Sequence, residues 1–177
     1  CAEVGCNAEM CTKKVFVLSA GVAADFGGVN GANALCAQQA AAAKLPGTFY
    51  AWLSDSTGGP YDRFSKSEVP YVLADGTRIA EDWEGLRANG PLTPIDMTAA
   101  GMRLADADDT RVWTGSGPDG RAEDKNGASN FCSGWSRKVI EDFTYVGLLR
   151  ERNNQDSWTL GEFPSCTGTG LLYCFQQ

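Results

Sequence analysis

Gly28-Val29-Asn30-Gly31-Ala32-Asn33-Ala34-Leu35-Cys36-Ala37-Gln38-Gln39, followed by Leu45-Pro46-Gly47-Thr48-Phe49-Tyr50-Ala51-Trp52-Leu53-Ser54, joins a helix-forming run to a strand-forming one. Its alanine-rich part, Ala32 to about Lys44, consists of strong helix formers, and Asn30 or Asn33 is placed to cap it. Leu35, Cys36, Gln39 and Ala43 share one helical face, so Cys36 points into a core. Pro46-Gly47 ends the helix, and the aromatic-rich run Phe49 to Leu53 reads as a strand. Working outward, Val15-Phe16-Val17-Leu18 is β-branched and aromatic enough for a buried first strand, broken off by Gly27-Gly28. Tyr71-Val72-Leu73 is a short strand closed by the hairpin signal Asp75-Gly76. Glu81 to Ala88 reads as a second helix with Trp83 and Leu86 facing inward and Gly90-Pro91 as its stop. From Thr93 onward the chain is loop-rich, interrupted by apolar pieces at Arg111 to Thr114, Tyr145 to Leu149 and Leu171 to Phe175. Few helices, many short strands and long loops define an α+β domain.

The 177 residues suit one folding unit, Lys13 to Gln177, preceded by a Cys-rich extension over residues 1–12. A hydrophobic fraction of 43% and a charged fraction of 21% are ordinary for a globular chain and exclude disordered or collagen-like structure. The net charge of -7 speaks against nucleic acid, heparin-type polyanions and anionic membrane as partners, because each requires a dominant basic face. Seven cysteines stand at positions 1, 6, 11, 36, 132, 166 and 174, with no Cys-x-x-Cys pair and no histidine. That spacing is wrong for structural zinc and right for disulfides, which implies a secreted or cell-surface location. The odd count leaves one thiol over. Cys1 has two readings, the lipid-bearing first residue of a bacterial outer-membrane lipoprotein or a chain boundary that falls at a cysteine. No Asn-x-Ser/Thr acceptor occurs, which fits a bacterial source.

The quoted stretch, together with Val69-Pro70-Tyr71-Val72, Trp83-Glu84-Gly85-Leu86, Val112-Trp113-Thr114-Gly115-Ser116-Gly117-Pro118-Asp119-Gly120, Cys132-Ser133-Gly134-Trp135 and Leu172-Tyr173-Cys174, resembles landmarks of endostatin, the C-terminal domain of certain collagens, in the same order. The chain also resembles a family of bacterial surface proteins of unknown function, often lipoproteins, in the same fold superfamily. The resemblance implies a C-type-lectin-like, endostatin-like fold in which two short helices pack on mixed and antiparallel strands with long loops. It implies nested disulfides, Cys36 with Cys174 and Cys132 with Cys166. Cys6 is then left to pair with Cys11, or Cys1 with either of them. Endostatin's zinc site depends on histidines and its heparin binding on an arginine patch. This chain has neither feature, so neither activity is carried over.

The loop from Asp106 to Asn130 carries Asp106, Asp108, Asp109, Asp119, Glu123, Asp124 and Asn126. Lectins of this fold hold calcium and sugar in a long loop at a similar place. Calcium takes six to eight hard oxygen ligands, so Asp119, Glu123, Asp124 and Asn126 form a candidate calcium set, with Asp119 and Asn126 also candidate ligand contacts. The plainer reading is a solvated acidic loop. Asn153, Asn154 and Asp156, beside Trp158, suit sugar hydroxyls if that ring is exposed; otherwise they form a polar turn with Trp158 folded inward. Trp52, Trp83, Trp113 and Trp135 read as core. Without histidine no Ser-His-Asp or Cys-His arrangement exists, and no other cofactor is implied. The reading that follows is a non-enzymatic binding domain that presents loops 106–130 and 150–164 to an extracellular protein or carbohydrate. Its alternatives are a structural surface lipoprotein domain and a carboxylate-dependent hydrolase.

Overall fold

A computed structural model describes residues 11–104, 110–127, 129–150 and 156–177 of the chain. The elements in order are β1 (Lys13–Val17), β2 (Val22–Ala23), α1 (Gly28–Ala42), β3 (Phe49–Ala51), α2 (Pro60–Arg63), β4 (Tyr71–Val72), β5 (Arg78–Ala80), α3 (Trp83–Asn89), β6 (Arg111–Trp113), α4 (Phe131–Trp135), β7 (Val146–Leu148), α5 (Ser157–Leu160), β8 (Thr169–Gly170) and β9 (Tyr173–Gln176). The class is mixed α+β.

The apolar run at Val15–Val17 is buried on both faces because β1 lies inside a five-stranded sheet of order β3-β9-β1-β4-β5. β9 runs antiparallel to β1, with Phe16 opposite Cys174, and antiparallel to β3, with Ala51 opposite Cys174. β4 is parallel to β1, and the Asp75-Gly76 turn returns the chain as β5. In that turn the Thr77 N–H donates to Asp75 Oδ1 at 2.9 Å, so the aspartate closes its own loop. Two small antiparallel pairs, β2 with β8 and β6 with β7, stand apart from this sheet.

α1 packs against β3 through Ala32, Cys36 and Ala40, a stripe at four-residue spacing. It begins earlier than the asparagines suggest. Gly27, with φ of 89°, occupies the cap position, and no side chain caps the helix. Both Asn30 and Asn33 are inside it. Asn33 Oδ1 instead accepts the Ala51 N–H at 2.9 Å, which ties the helix to β3. α3 behaves as its sequence suggests: Asp82 caps it by accepting the Gly85 N–H at 2.6 Å, and Trp83 and Leu86 are buried.

The described residues form five helices where two were expected. α2, α4 and α5 are single turns, too short to show a 3.6-residue repeat in sequence. α4 has a further peculiarity: Phe131, Cys132, Ser133, Gly134 and Trp135 all have φ between 51° and 67°, a left-handed turn. L-residues avoid this conformation at roughly 1–2 kcal/mol each, so surrounding contacts must hold it. Trp135 Nε1 donates to the Ser54 carbonyl at 2.8 Å, and its own carbonyl accepts the Gly27 N–H at 3.1 Å. Cys132 in the same turn is bonded to Cys166.

The other disulfide joins Cys36 of α1 to Cys174 of β9, with Cα atoms 5.5 Å apart. Cys11 is also disulfide-bonded. Cys1 and Cys6, and with them the pairing within the Cys-rich extension, lie outside the described residues. Around Cys174 the core is aromatic. The Trp52 ring lies 4.7 Å from Trp158, 5.2 Å from Phe175, 5.7 Å from Trp83 and 5.8 Å from Phe64 by centroid. Trp113 and Trp135 pack edge to face in a second group. Among the described residues no helix is long and apolar enough to cross a membrane.

Two outcomes follow for stability. Opening Cys36–Cys174 frees a loop of 138 residues and opening Cys132–Cys166 one of 34. Loop entropy puts these at about 5 and about 4 kcal/mol, so Cys36→Ala/Cys174→Ala is expected to lower Tm by roughly 10–20 °C, and more than Cys132→Ala/Cys166→Ala. Calorimetry on both variants checks the order. The second outcome concerns pH. Burial pushes the Tyr71 phenol up to about 12, against hydrogen bonding at Ser67, and also raises Tyr173. An unfolded tyrosine ionises near pH 10, so this stabilisation is complete below ~10 and is lost as pH rises through the folded value. Urea midpoints are therefore expected to hold to about pH 10 and fall above it, with a shallower fall in Tyr71→Phe.

Candidate functional site

The segment Glu141 to Val146 alternates strictly. Asp142, Thr144 and Val146 are buried, whereas Phe143 is 37% exposed and Tyr145 is half-buried. Period-two alternation is how a strand separates its faces, so the two aromatic rings leave the core on one side. Bridges from Phe143 to Ser165 and from Val146 to Glu162 lay this segment antiparallel against residues 162–165. Phe163 thereby joins the same outer face. Its ring stacks on Phe143 with centroids 6.0 Å apart and 15° between planes, and meets Tyr145 edge-on at 4.9 Å. Lys125 Nζ sits 4.2 Å from the Phe163 centroid. Lys125 belongs to the first candidate loop and Phe163 to the second, so the structure brings loops 106–130 and 150–164 together here.

The base under these rings is rigid. Asp142 is buried, accepts hydrogen bonds from Asn130 Nδ2 and from Ser133 Oγ at 2.6 Å, and offers its carbonyl to the Cys166 N–H at 2.9 Å. The Cys132–Cys166 bond closes the same unit. α5 packs on the other side of β7 so closely that a Cβ at Gly147 would lie 1.7 Å from the Trp158 carbonyl oxygen. Only glycine allows that approach. Partial burial, followed by the charge of Glu123, raises the Tyr145 pKa.

The second loop is also clamped at its start. Arg150 Nη2 lies 3.1 Å from Asp96 Oδ2, and Arg103 Nη1 lies 2.6 Å from Asp96 Oδ1. The Asp96 side chain is only 8% exposed, so it cannot exchange these partners for water. Asp96→Ala is expected to cost about 1–2 kcal/mol, because Arg103 and Arg150 lose a buried acceptor while their partly exposed guanidinium groups can still reach water; urea unfolding measures it.

The residues expected to bind calcium do not assemble. Among the described residues no group of three or more acidic, cysteine or histidine side chains is placed to hold a metal ion. Asp119 and Glu123 both border Gly117, but the Asp119 carboxylate is turned back on its own loop. It accepts the Arg121 N–H at 3.0 Å and pairs with Arg121 Nη1 at 2.7 Å. Arg121 in turn lies 3.7 Å from the Tyr61 ring centroid. Asp124 and Asn126 flank Lys125 at the edge of the aromatic face and are exposed. Asp106, Asp108, Asp109, Asn153 and Asn154 lie outside the described residues. Asp156 is at the entry to α5, where its carbonyl accepts the Leu160 N–H at 2.8 Å. Trp158 is no sugar platform: it is 5% exposed and packs on Trp52.

Sequence reading passed over Phe143, Phe163 and Lys125, and took Tyr145 only as the start of an apolar piece. The signal was the pattern Asp142-Phe143-Thr144-Tyr145-Val146, in which aromatic and polar residues alternate ahead of a buried valine. A separate cleft of about 590 Å³ opens at the start of α1, beside Gly28, Asn33, Tyr50 and Arg63. Its one cation is already engaged, since Arg63 pairs with Asp55 and donates to the Leu53 carbonyl at 3.1 Å.

No family model matches the chain. Over 124 residues it is 32% identical to the human collagen alpha-1(XVIII) chain, an alignment covering 61% of this chain. The chain spans only 6% of that relative's length. The match points to an endostatin-like domain, in line with the collagen domain whose landmarks the sequence resembles. With its disulfides, the chain is compatible with an extracellular, non-enzymatic binding domain. The relative is a human collagen, so it lends nothing to the bacterial or lipoprotein readings.

Proposed function

We propose that the domain is an extracellular recognition module without catalytic activity, and that it binds a protein or glycan ligand through the face formed by Phe143, Tyr145 and Phe163. The observation that carries this reading is a pair of stacked aromatic rings at the surface, Phe143 exposed and Phe163 partly so, on a disulfide-anchored base in a chain whose five tryptophans are all buried. Ile140, 66% exposed, lies three residues before Phe143. Large apolar groups grouped at a surface mark interaction sites, and aromatic side chains are enriched in interfaces. A ring face suits a sugar as well as a side chain. The non-enzymatic reading is supported by the carboxylates: the two buried ones among the described residues, Asp96 and Asp142, are both held by structural partners.

The test compares the wild-type domain with Phe143→Ala/Phe163→Ala for retention on immobilised extracellular-matrix proteins and on a glycan array. Because the two rings lie at the surface, the double variant is expected to keep its circular dichroism and Tm within a few degrees while its binding falls at least tenfold. Equal binding by a folded double variant, or no binding by the wild type to either ligand class, would overturn the proposal.

A further inference from the structure

Lys125 occupies an unusual position. Lys125, Asn126 and Gly127 have φ of 50°, 59° and 83°, a left-handed run closed by the Ser129 N–H donating to the Asp124 carbonyl at 2.7 Å. Asparagine and glycine accept that region readily, but lysine does so at a cost. The run delivers the Lys125 ammonium to the Phe163 ring at 4.2 Å. Other cations over rings in this protein are fastened by further bonds. Lys66 donates to the carbonyls of Tyr61 and Phe64, and Arg121 pairs with Asp119. Lys125 makes no hydrogen bond or ion pair among the described residues. Among the described residues, the ring quadrupole and the turn hold it.

The charged residues nearest to these rings in sequence are acidic. Every charged residue within two positions of Lys125, Phe143 or Phe163 is Glu123, Asp124, Glu141, Asp142 or Glu162. Asp142 is buried and hydrogen-bonded, and Glu162 pairs with Arg111 at 2.7 Å. Glu123, Asp124 and Glu141 form no ion pair among the described residues, and Glu123 is close enough to act on the Tyr145 phenol. A partly exposed aromatic face with the Glu123 carboxylate near its phenol complements a cation, and Phe163 already holds one.

We infer that the Phe143–Tyr145–Phe163 face takes an arginine or lysine side chain from a basic segment of a protein partner, and that Lys125 covers this site in cis until the partner displaces it. The inference rests on the proposed binding face and adds the chemistry of its occupant. An arginine of the partner would stack its guanidinium on Phe163, with Glu123 and Asp124 beside it. Lys125, being strongly hydrated and otherwise unattached, would move into water with little loss.

The experiment titrates the domain with a short blocked peptide of alternating arginine and glycine, at low and moderate salt. Wild-type protein should bind it, more weakly as salt rises. Lys125→Met keeps the apolar stem and removes the competing cation, so it should bind about two- to fivefold more tightly. Phe163→Leu keeps apolar bulk without the ring and should lose binding, whereas Phe163→Trp should retain or improve it. Circular dichroism on each variant confirms folding. Unchanged or weaker binding by Lys125→Met, or undiminished binding by folded Phe163→Leu, would overturn the inference. A glycan or matrix ligand that loses affinity in Phe143→Ala/Phe163→Ala, yet ignores both Lys125→Met and competition by the peptide, would preserve the face and reject the cationic occupant. A ligand indifferent to the double alanine variant would remove the face itself.

Discussion

The pairing of β9 with both β1 and β3, fixed by the bond from Cys174 to Cys36, is the constraint on which the remaining structure depends. Cys174 stands opposite Phe16 on one side and Ala51 on the other, and its sulfur reaches α1. One residue thus fastens the helix and three strands at a point with no access to water. Bringing β1 and β9 together closes nearly the whole chain into a loop, and the entropy of that closure grows only slowly with length. The long stretch between β5 and β9 can therefore be mostly irregular without unfolding the sheet. It needs only a few ties, and it has them: β6 on β7, Cys132 on Cys166, and Asp96 between Arg103 and Arg150.

Much of the sheet and the two longer helices could be read in advance, because their residues carry strong one-body signals. Val15–Val17 is apolar and β-branched, Asp75-Gly76 is a turn by composition, and Trp83 and Leu86 share a helical face. What escaped had its cause in other parts of the chain. The start of α1 at Gly27 depends on a left-handed glycine and on the Trp135 carbonyl, more than a hundred residues away. The turn of α4 has the opposite hand to any pattern that propensities describe. The acidic loop had two readings in sequence for a related reason. Nearness along the chain says nothing about where a carboxylate points, and Asp119 is used by its own turn and by Arg121. Trp158 folds inward, the polar-turn reading of its segment, because its turn is packed onto Gly147 from behind.

The aromatic face and the core differ by one position of strand phase. Thr144 goes in and Tyr145 goes out because Val146 must be buried in β7, and the bridge between Val146 and Glu162 then sets Phe163 beside them. A one-residue slip would carry both rings inward and expose the threonine and valine. The fixed carbonyl of Asp142 on Cys166, and the disulfide one residue beyond Ser165, hold that register. The buried crosslink is therefore part of the surface's definition.

The place of β9 in the sequence also bears on how the molecule comes into being. Residues emerge from the ribosome in chain order, at ~5–20 per second, and β9 follows every other element. Until it appears, β1 and β3 lack the strand that lies between them, and Cys36 has no native mate. The nascent chain must travel most of its length as an open, thiol-bearing intermediate, dependent on whatever shields apolar segments and withholds oxidation in the compartment that receives it. Premature pairing of Cys36 with Cys132 or Cys166 would trap it. The order of the cysteines thus leaves Cys36 without its mate until nearly the whole domain has been made.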